Sequence, residues 1–121
     1  MNGRNFRELI VWQKAMTATE EIYKMVKLLP KDEMFSLSDQ MKRAAVSIPS
    51  NIAEGNARGS SKEMIRFLYI AQGSCAELET QLELCYRFGY INEEILNRNL
   101  EKLKEVGCML AGLIKSKSSN L

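Results

Sequence analysis

Residues 40–60 read QMKRAAVSIPSNIAEGNARGS. Steps of three and four put Leu37, Met41, Ala45, Ile48, Ile52 and Gly55 on one side, the spacing of an α-helix with a core-facing stripe. Arg43, Ser47, Ser50, Glu54 and Arg58 fall on a second side, with Asn51 beside them and Gln40 at the head of the stretch. Pro49 stands in the middle. It cannot donate to the carbonyl of Ala45, and its ring crowds that carbonyl, at about 3 kcal/mol or more. The pattern therefore predicts a helix kinked at Pro49. Ser47, Ser50, Asn51 or an ordered water is available to the freed carbonyl. The polar side has two readings: solvated residues on a kinked core helix, or a buried network or contact between copies.

Three more helices lie outward from this one. Over about residues 6–29, Leu9, Trp12, Met16, Thr19, Tyr23 and Val26 repeat the helical spacing. Asn5 is its candidate N-cap, and Pro30 ends it. Lys24, Lys27 and Lys31 crowd the C-terminal end, where the helix dipole favours cations. Asp32 is the candidate N-cap of the second helix, which spans about 33–58 and is closed by Gly59. Ser60 and Glu63 form an S-x-x-E capping box for a third helix over about 61–88.

Met64, Leu68, Ala71, Cys75, Leu78, Leu82 and Cys85 alternate steps of four and three, a heptad seam that Phe67, Ser74, Gln81 and Phe88 widen. A glycine inside a helix costs about 1 kcal/mol, so Gly73 predicts a close approach by a neighbour. Gly89 closes this helix, and Asn92 caps a fourth over about 92–116. Its stripe is Leu96, Leu100, Leu103, Val106, Leu110, Leu113 and Ile114. Short connections force antiparallel neighbours. The expected fold is all-α: an antiparallel up-down-up-down four-helix bundle, one domain over 1–121.

A chain of 121 residues with 45% hydrophobic and 26% charged residues has the size and balance of one globular domain. Its net charge of +2 is too small to prove a polyanion partner. The charge is uneven: residues 1–31 hold six Lys and Arg against three Glu, and residues 92–121 hold five against four. Any basic surface would draw on the two terminal helices. No apolar run approaches the ~20 residues that span a bilayer, and no signal-peptide core opens the chain. Cys75, Cys85 and Cys108 read as reduced core residues of a cytoplasmic protein.

The absence of histidine removes the Ser–His–Asp triad, the Cys–His pair, most zinc sites and the Glu-x-x-His di-iron motif. There is no C-x-x-C, no G-x-x-x-x-G-K-[ST] and no G-x-G-x-x-G. The run Gly55-Asn56-Ala57-Arg58-Gly59 reads first as a helix stop before a capped start, and second as a phosphate loop. Glu77, Glu79 and Glu83 read as a solvated or salt-bridged face, with Arg43 and Arg66 as available partners. Neither a catalytic residue nor a cofactor, metal or small-molecule substrate is expected.

The string Q-M-K-R-A-A-V-S-I-P-S-N-I-A-E-G at Gln40–Gly55 resembles the signature of the 23S rRNA intervening-sequence proteins, a four-helix bundle family. Phe6 with Leu9–Ala15, Leu29–Pro30 with Glu33–Leu37, and Phe67–Ser74 with Glu77–Leu82 are similar to other segments of that family, over about residues 6–90. The resemblance implies a small bacterial cytoplasmic protein without catalytic activity that forms a homo-oligomer, a pentamer. It assigns Gln40, Arg43, Ser47, Pro49, Asn51, Glu54 and Gly55 to the family signature, as an oligomer contact or polar network. Some members are encoded within 23S rRNA genes, and the family is similar to a basic retroelement accessory protein that associates with nucleic acid. Two functions follow: an RNA-associated accessory protein, or an adaptor oligomer acting through protein contacts alone. In the first, Arg4, Arg7, Lys14, Lys24, Lys27, Arg98, Lys102 and Lys104 are the candidate phosphate contacts.

Overall fold

The computed structural model describes residues 5–121; Arg4, a candidate phosphate contact, lies outside them. Four long helices make up the described residues: α1 Ile10–Val26, α2 Leu37–Ala57, α3 Ser61–Arg87 and α4 Glu93–Ser118. Single 3-10 turns occupy Phe6–Glu8 and Lys31–Glu33, and no strand occurs among the described residues. α1 and α3 each pack against both α2 and α4, around one shared core. Consecutive helices run in opposite directions. Met41, Ser47 and Gly55 of α2 meet Cys85, Ser74 and Phe67 of α3 in reversed order. Tyr23 and Thr19 of α1 likewise meet Lys42 and Ala45 of α2.

Local signals set the later boundaries. Gly59 and Gly89 have φ of +80 and +82, the left-handed positions that close α2 and α3. The side chain of Ser60 accepts the N–H of Glu63 at 3.2 Å, and that of Asn92 accepts the N–H of Ile95 at 2.9 Å. Glu63 pairs with Arg66 instead of completing the capping box.

The early boundaries differ from the sequence expectation. α1 begins at Ile10 rather than Phe6, because Asn5 caps only the 3-10 turn and Leu9 is extended at φ −73, ψ 123. α2 begins at Leu37 rather than residue 33. Pro30 is extended, and the 3-10 turn after it binds Glu33 N–H to Pro30 and Met34 N–H to Lys31. The N-cap of α2 is therefore Ser36 and not Asp32, and the Ser36 side chain makes no cap bond. α2 is helical through Pro49 to Ala57.

The stripes of α2 and α3 are buried as their spacing predicts, except that Phe88 is exposed. α1 is a correction. Its core face is Val11, Ala15, Ala18, Ile22 and Met25; of the expected stripe Val26 is buried, whereas Met16 and Tyr23 are 37% and 40% exposed and Trp12 is only partly buried. α1 thus carries two neighbouring apolar stripes. The one with small alanines faces inward, since Ala15 and Ala18 let the helices approach. Gly73 is a second correction: a Cβ there would meet nothing within 4 Å. The close approach is at Gly55, where a Cβ would lie 2.9 Å from Cβ of Phe67 and 3.3 Å from the Met64 carbonyl. Cys108 is the third, exposed where a core position was expected.

Candidate functional surfaces

The signature residues divide between the two sides of α2. On the α3 side, the Ser47 hydroxyl shares a hydrogen bond of 2.8 Å with the hydroxyl of Ser74. The Asn51 amide donates to Ser47 Oγ at 2.9 Å and to the Ser47 carbonyl at 2.8 Å. A part-buried polar bridge therefore ties α2 to α3, about two turns before Gly55 brings the two backbones close. Arg43, Glu54 and Gln40 do not join it. Arg43 pairs with Asp39 at 3.0 Å and Glu54 with Arg58 at 2.8 Å, both exposed pairs along the helix, and Gln40 is exposed. Such pairs contribute about 0.3–0.5 kcal/mol. The Glu77–Glu83 face pairs with neither Arg43 nor Arg66; Arg66 is held by Glu63.

The carbonyl of Ala45 that Pro49 leaves without its helical donor receives the Thr19 hydroxyl at 3.0 Å. Thr19 also lies 2.8 Å from the Ala15 carbonyl, so its one proton is shared. The donor comes from α1, not from Ser47, Ser50 or Asn51 as the sequence suggests. Above this bond lies an open groove of about 350 Å³ between α1 and α2, lined by Trp12, Met16, Val46, Pro49, Ser50 and Ala53. It is the outer apolar stripe of α1 set beside the signature helix. Near the α1–α2 connection, Phe35 is 91% exposed, the most exposed of the large apolar residues.

The nominated cations do not gather into one surface. Lys14 pairs with Glu105 across α1 and α4 at 3.4 Å, and Lys24 pairs with Glu21 at 3.4 Å. The Arg7 guanidinium lies over the Phe6 ring, 4.7 Å from its centroid. Lys104 lines a cavity with Glu79 and Glu83. Lys27, Arg98, Lys102 and Lys104 form no ion pair among the described residues.

Burial pushes the thiols of Cys75 and Cys85 up to about 12 and about 11, so both stay protonated and unreactive at neutral pH. Among the described residues no group of three His, Cys, Asp or Glu is placed to hold a metal. No helix there is long and apolar enough to cross a membrane.

The family profile described as 23S rRNA-intervening sequence protein matches residues 7–112, which extends the similarity well into α4. A similar crystal structure is that of a protein of unknown function from the S23 ribosomal protein family of Bacteroides thetaiotaomicron VPI-5482. It is 30% identical, with a TM-score of 0.79 over 88% of this chain and 99% of that one. No curated protein matches.

Proposed function

The chain belongs to the 23S rRNA-intervening sequence protein family, and from that premise we propose that it is a non-catalytic, self-associating four-helix bundle that works through its outer surfaces. The α1–α2 groove receives another copy, and the basic helix surfaces hold RNA phosphates. The observation that carries this reading is the second apolar stripe of α1. Trp12, Met16, Val46, Pro49 and Ala53 line an uncovered apolar groove, while Phe35 stands in solvent on the same chain. Exposed apolar surface of that kind marks association sites.

The groove and Phe35 are different parts of the chain, so a contact between them is head-to-tail, the kind that builds a ring when its rotation closes. Five copies is the number that the family resemblance implies, and a bacterial cytoplasmic setting comes with it. A bend of α2 at Pro49 belongs to the same reading, supported by the Thr19 hydroxyl standing where the helical hydrogen bond is missing.

Light scattering at micromolar concentration tests the assembly. The native chain is expected to run as a ring of several copies, and Met16→Glu/Val46→Glu as a monomer of unchanged helix content. A monomeric native chain overturns the proposal. RNA binding is tested by polarisation with structured rRNA fragments at two salt concentrations. Binding through phosphates weakens steeply as salt rises.

A second reading has its own support. Lys14 and Lys24 are already paired with Glu105 and Glu21, and the net charge is only +2. On that reading the oligomer is an adaptor acting through protein contacts, and RNA is not retained even at low salt.

A further inference from the structure

The geometry points to a phosphate-binding pocket at the α1–α2 corner, formed by Lys27, Lys31, Lys42 and the buried Ser38 hydroxyl at the N-terminus of α2. A cavity of about 270 Å³ opens there, with Pro30 and Met34 on its apolar wall and no carboxylate in its lining. Ser38 lines it while only 8% exposed, and its hydroxyl hydrogen-bonds to no described residue. That hydroxyl is free to take a partner, and the cavity is where one can enter.

The backbone adds donors. Ser36 gives α2 no side-chain cap, and the N–H groups of Ser38 and Asp39 have no acceptor among the described residues, whereas that of Leu37 reaches Glu33 at 3.4 Å. Free amides at the positive end of a 21-residue helix favour an anion.

Lys27 and Lys31 form no ion pair among the described residues. The Lys42 ammonium rests 5.4 Å from the Tyr23 ring centroid, a contact that leaves its protons available. The nearby acids have partners of their own and stay out of the lining: Asp39 is held by Arg43, and Glu33 accepts from the Tyr90 hydroxyl and the Leu37 N–H. Asp32, in the preceding turn, lies outside the lining. Three lysines and Ser38 thus line one cavity beside the uncapped start of α2, with no carboxylate in the lining, a donor set suited to a phosphate group. Only the source of that phosphate, an RNA backbone or a free phosphate-bearing small molecule, rests on the reading above.

Inorganic phosphate is titrated into the full ¹⁵N-labelled chain at ionic strength matched with chloride. The Ser38, Asp39 and Lys42 amides are expected to shift and saturate with phosphate alone. Ser38→Ala should weaken binding about threefold and Lys27→Gln/Lys31→Gln at least tenfold, with Lys115→Gln unchanged. Shifts that do not saturate, or equal loss in Lys115→Gln, overturn the pocket. A twelve-nucleotide RNA then separates the sources. Displacement of phosphate assigns the pocket to the backbone of RNA, and RNA binding without displacement assigns it to a small phosphate ligand. Phosphate binding with no RNA binding keeps the pocket and ends the nucleic-acid reading.

Discussion

α2 packs against α1 and α3 in opposite ways. Its seam with α3 is closed: Gly55 lies under Phe67, Ser47 bridges to Ser74, and the Cys85 thiol meets the Met41 sulfur at 3.5 Å. Its seam with α1 is closed only along the inner stripe, and its outer half is the open groove floored by Pro49. One hydroxyl, Thr19, crosses to the Ala45 carbonyl there. A single helix thus spends its small residues on one partner and leaves its proline facing the other. The closed side builds the fold, and the open side is left uncovered.

The largest effect is expected on the closed side. Gly55→Val would drive side-chain atoms into the backbone of α3, beyond the 2.9 Å approach already set by Phe67 Cβ. Overpacking of this kind costs about 1–3 kcal/mol, and Gly55→Val should sit at the upper end. Gly73→Ala, on the same pair of helices but with open space around it, should stabilise by up to about 1 kcal/mol. Chemical denaturation of both variants measures the contrast. Equal effects would mean that the seam is not tight at Gly55.

Next is the polar bridge. Ser47→Ala leaves the buried Ser74 hydroxyl without its partner and takes from the Asn51 amide one of its two acceptors, a loss of about 1–3 kcal/mol. The double variant Ser47→Ala/Ser74→Ala removes both ends and should recover part of that loss. A double variant as unstable as the sum of the singles would show that the two hydroxyls do not depend on each other.

On the open side the effect is smaller and conditional. Thr19→Val strips the Ala45 carbonyl of its donor and should cost about 1 kcal/mol. Pro49→Ala restores a backbone N–H to that same carbonyl. In the Pro49→Ala background, Thr19→Val should therefore cost close to nothing, and the thermal-melt double-mutant cycle reads the difference. Additive losses would sink the account of Thr19 as stand-in donor. Pro49→Ala alone should also change the light-scattering mass more than it changes helix content.

The legible parts of this chain are those fixed by neighbours in sequence. Ser60, Asn92, Gly59 and Gly89 each act within a few residues, and each does what its type suggests. The stripes of α2 and α3 have a single apolar register, so period alone assigns them. α1 has two, and period cannot choose between Trp12–Met16–Tyr23 and Val11–Ala15–Ala18–Ile22. Size decides, because only the alanine stripe lets α1 come near its neighbours. Cys108 is exposed although cysteine is among the most buried residue types, because its face of α4 turns away from the core.

The cross-helix pairs were out of reach for another reason. Thr19–Ala45 spans 26 residues, Ser47–Ser74 spans 27 and Glu33–Tyr90 spans 57. Such pairs depend on how far each helix slides along the next, which periodicity leaves unset. The groove and the lysine-lined corner depend on the same register.

The loose seam has one fastening at its connecting end, and it gives the smallest effect. The Tyr90 hydroxyl donates to Glu33 at 2.7 Å, tying the 3-10 turn between α1 and α2 to the α3–α4 connection. That bond holds the Glu33 carboxyl below its usual 4.5 and raises the Tyr90 hydroxyl above its usual 10.0. A depressed carboxyl stabilises above its unfolded value, and the gain is lost as pH falls through the folded one. A raised phenol stabilises below its unfolded value, and the gain is lost as pH rises through the folded one. The stability lost in Tyr90→Phe should therefore be flat from about pH 5 to pH 9 and shrink on either side. Both groups sit near the surface, so the plateau should be small and should fall with salt if charge carries it. A difference that stays constant down to pH 3 would show that Tyr90 acts by packing alone, leaving the inner stripe to hold α1 in place.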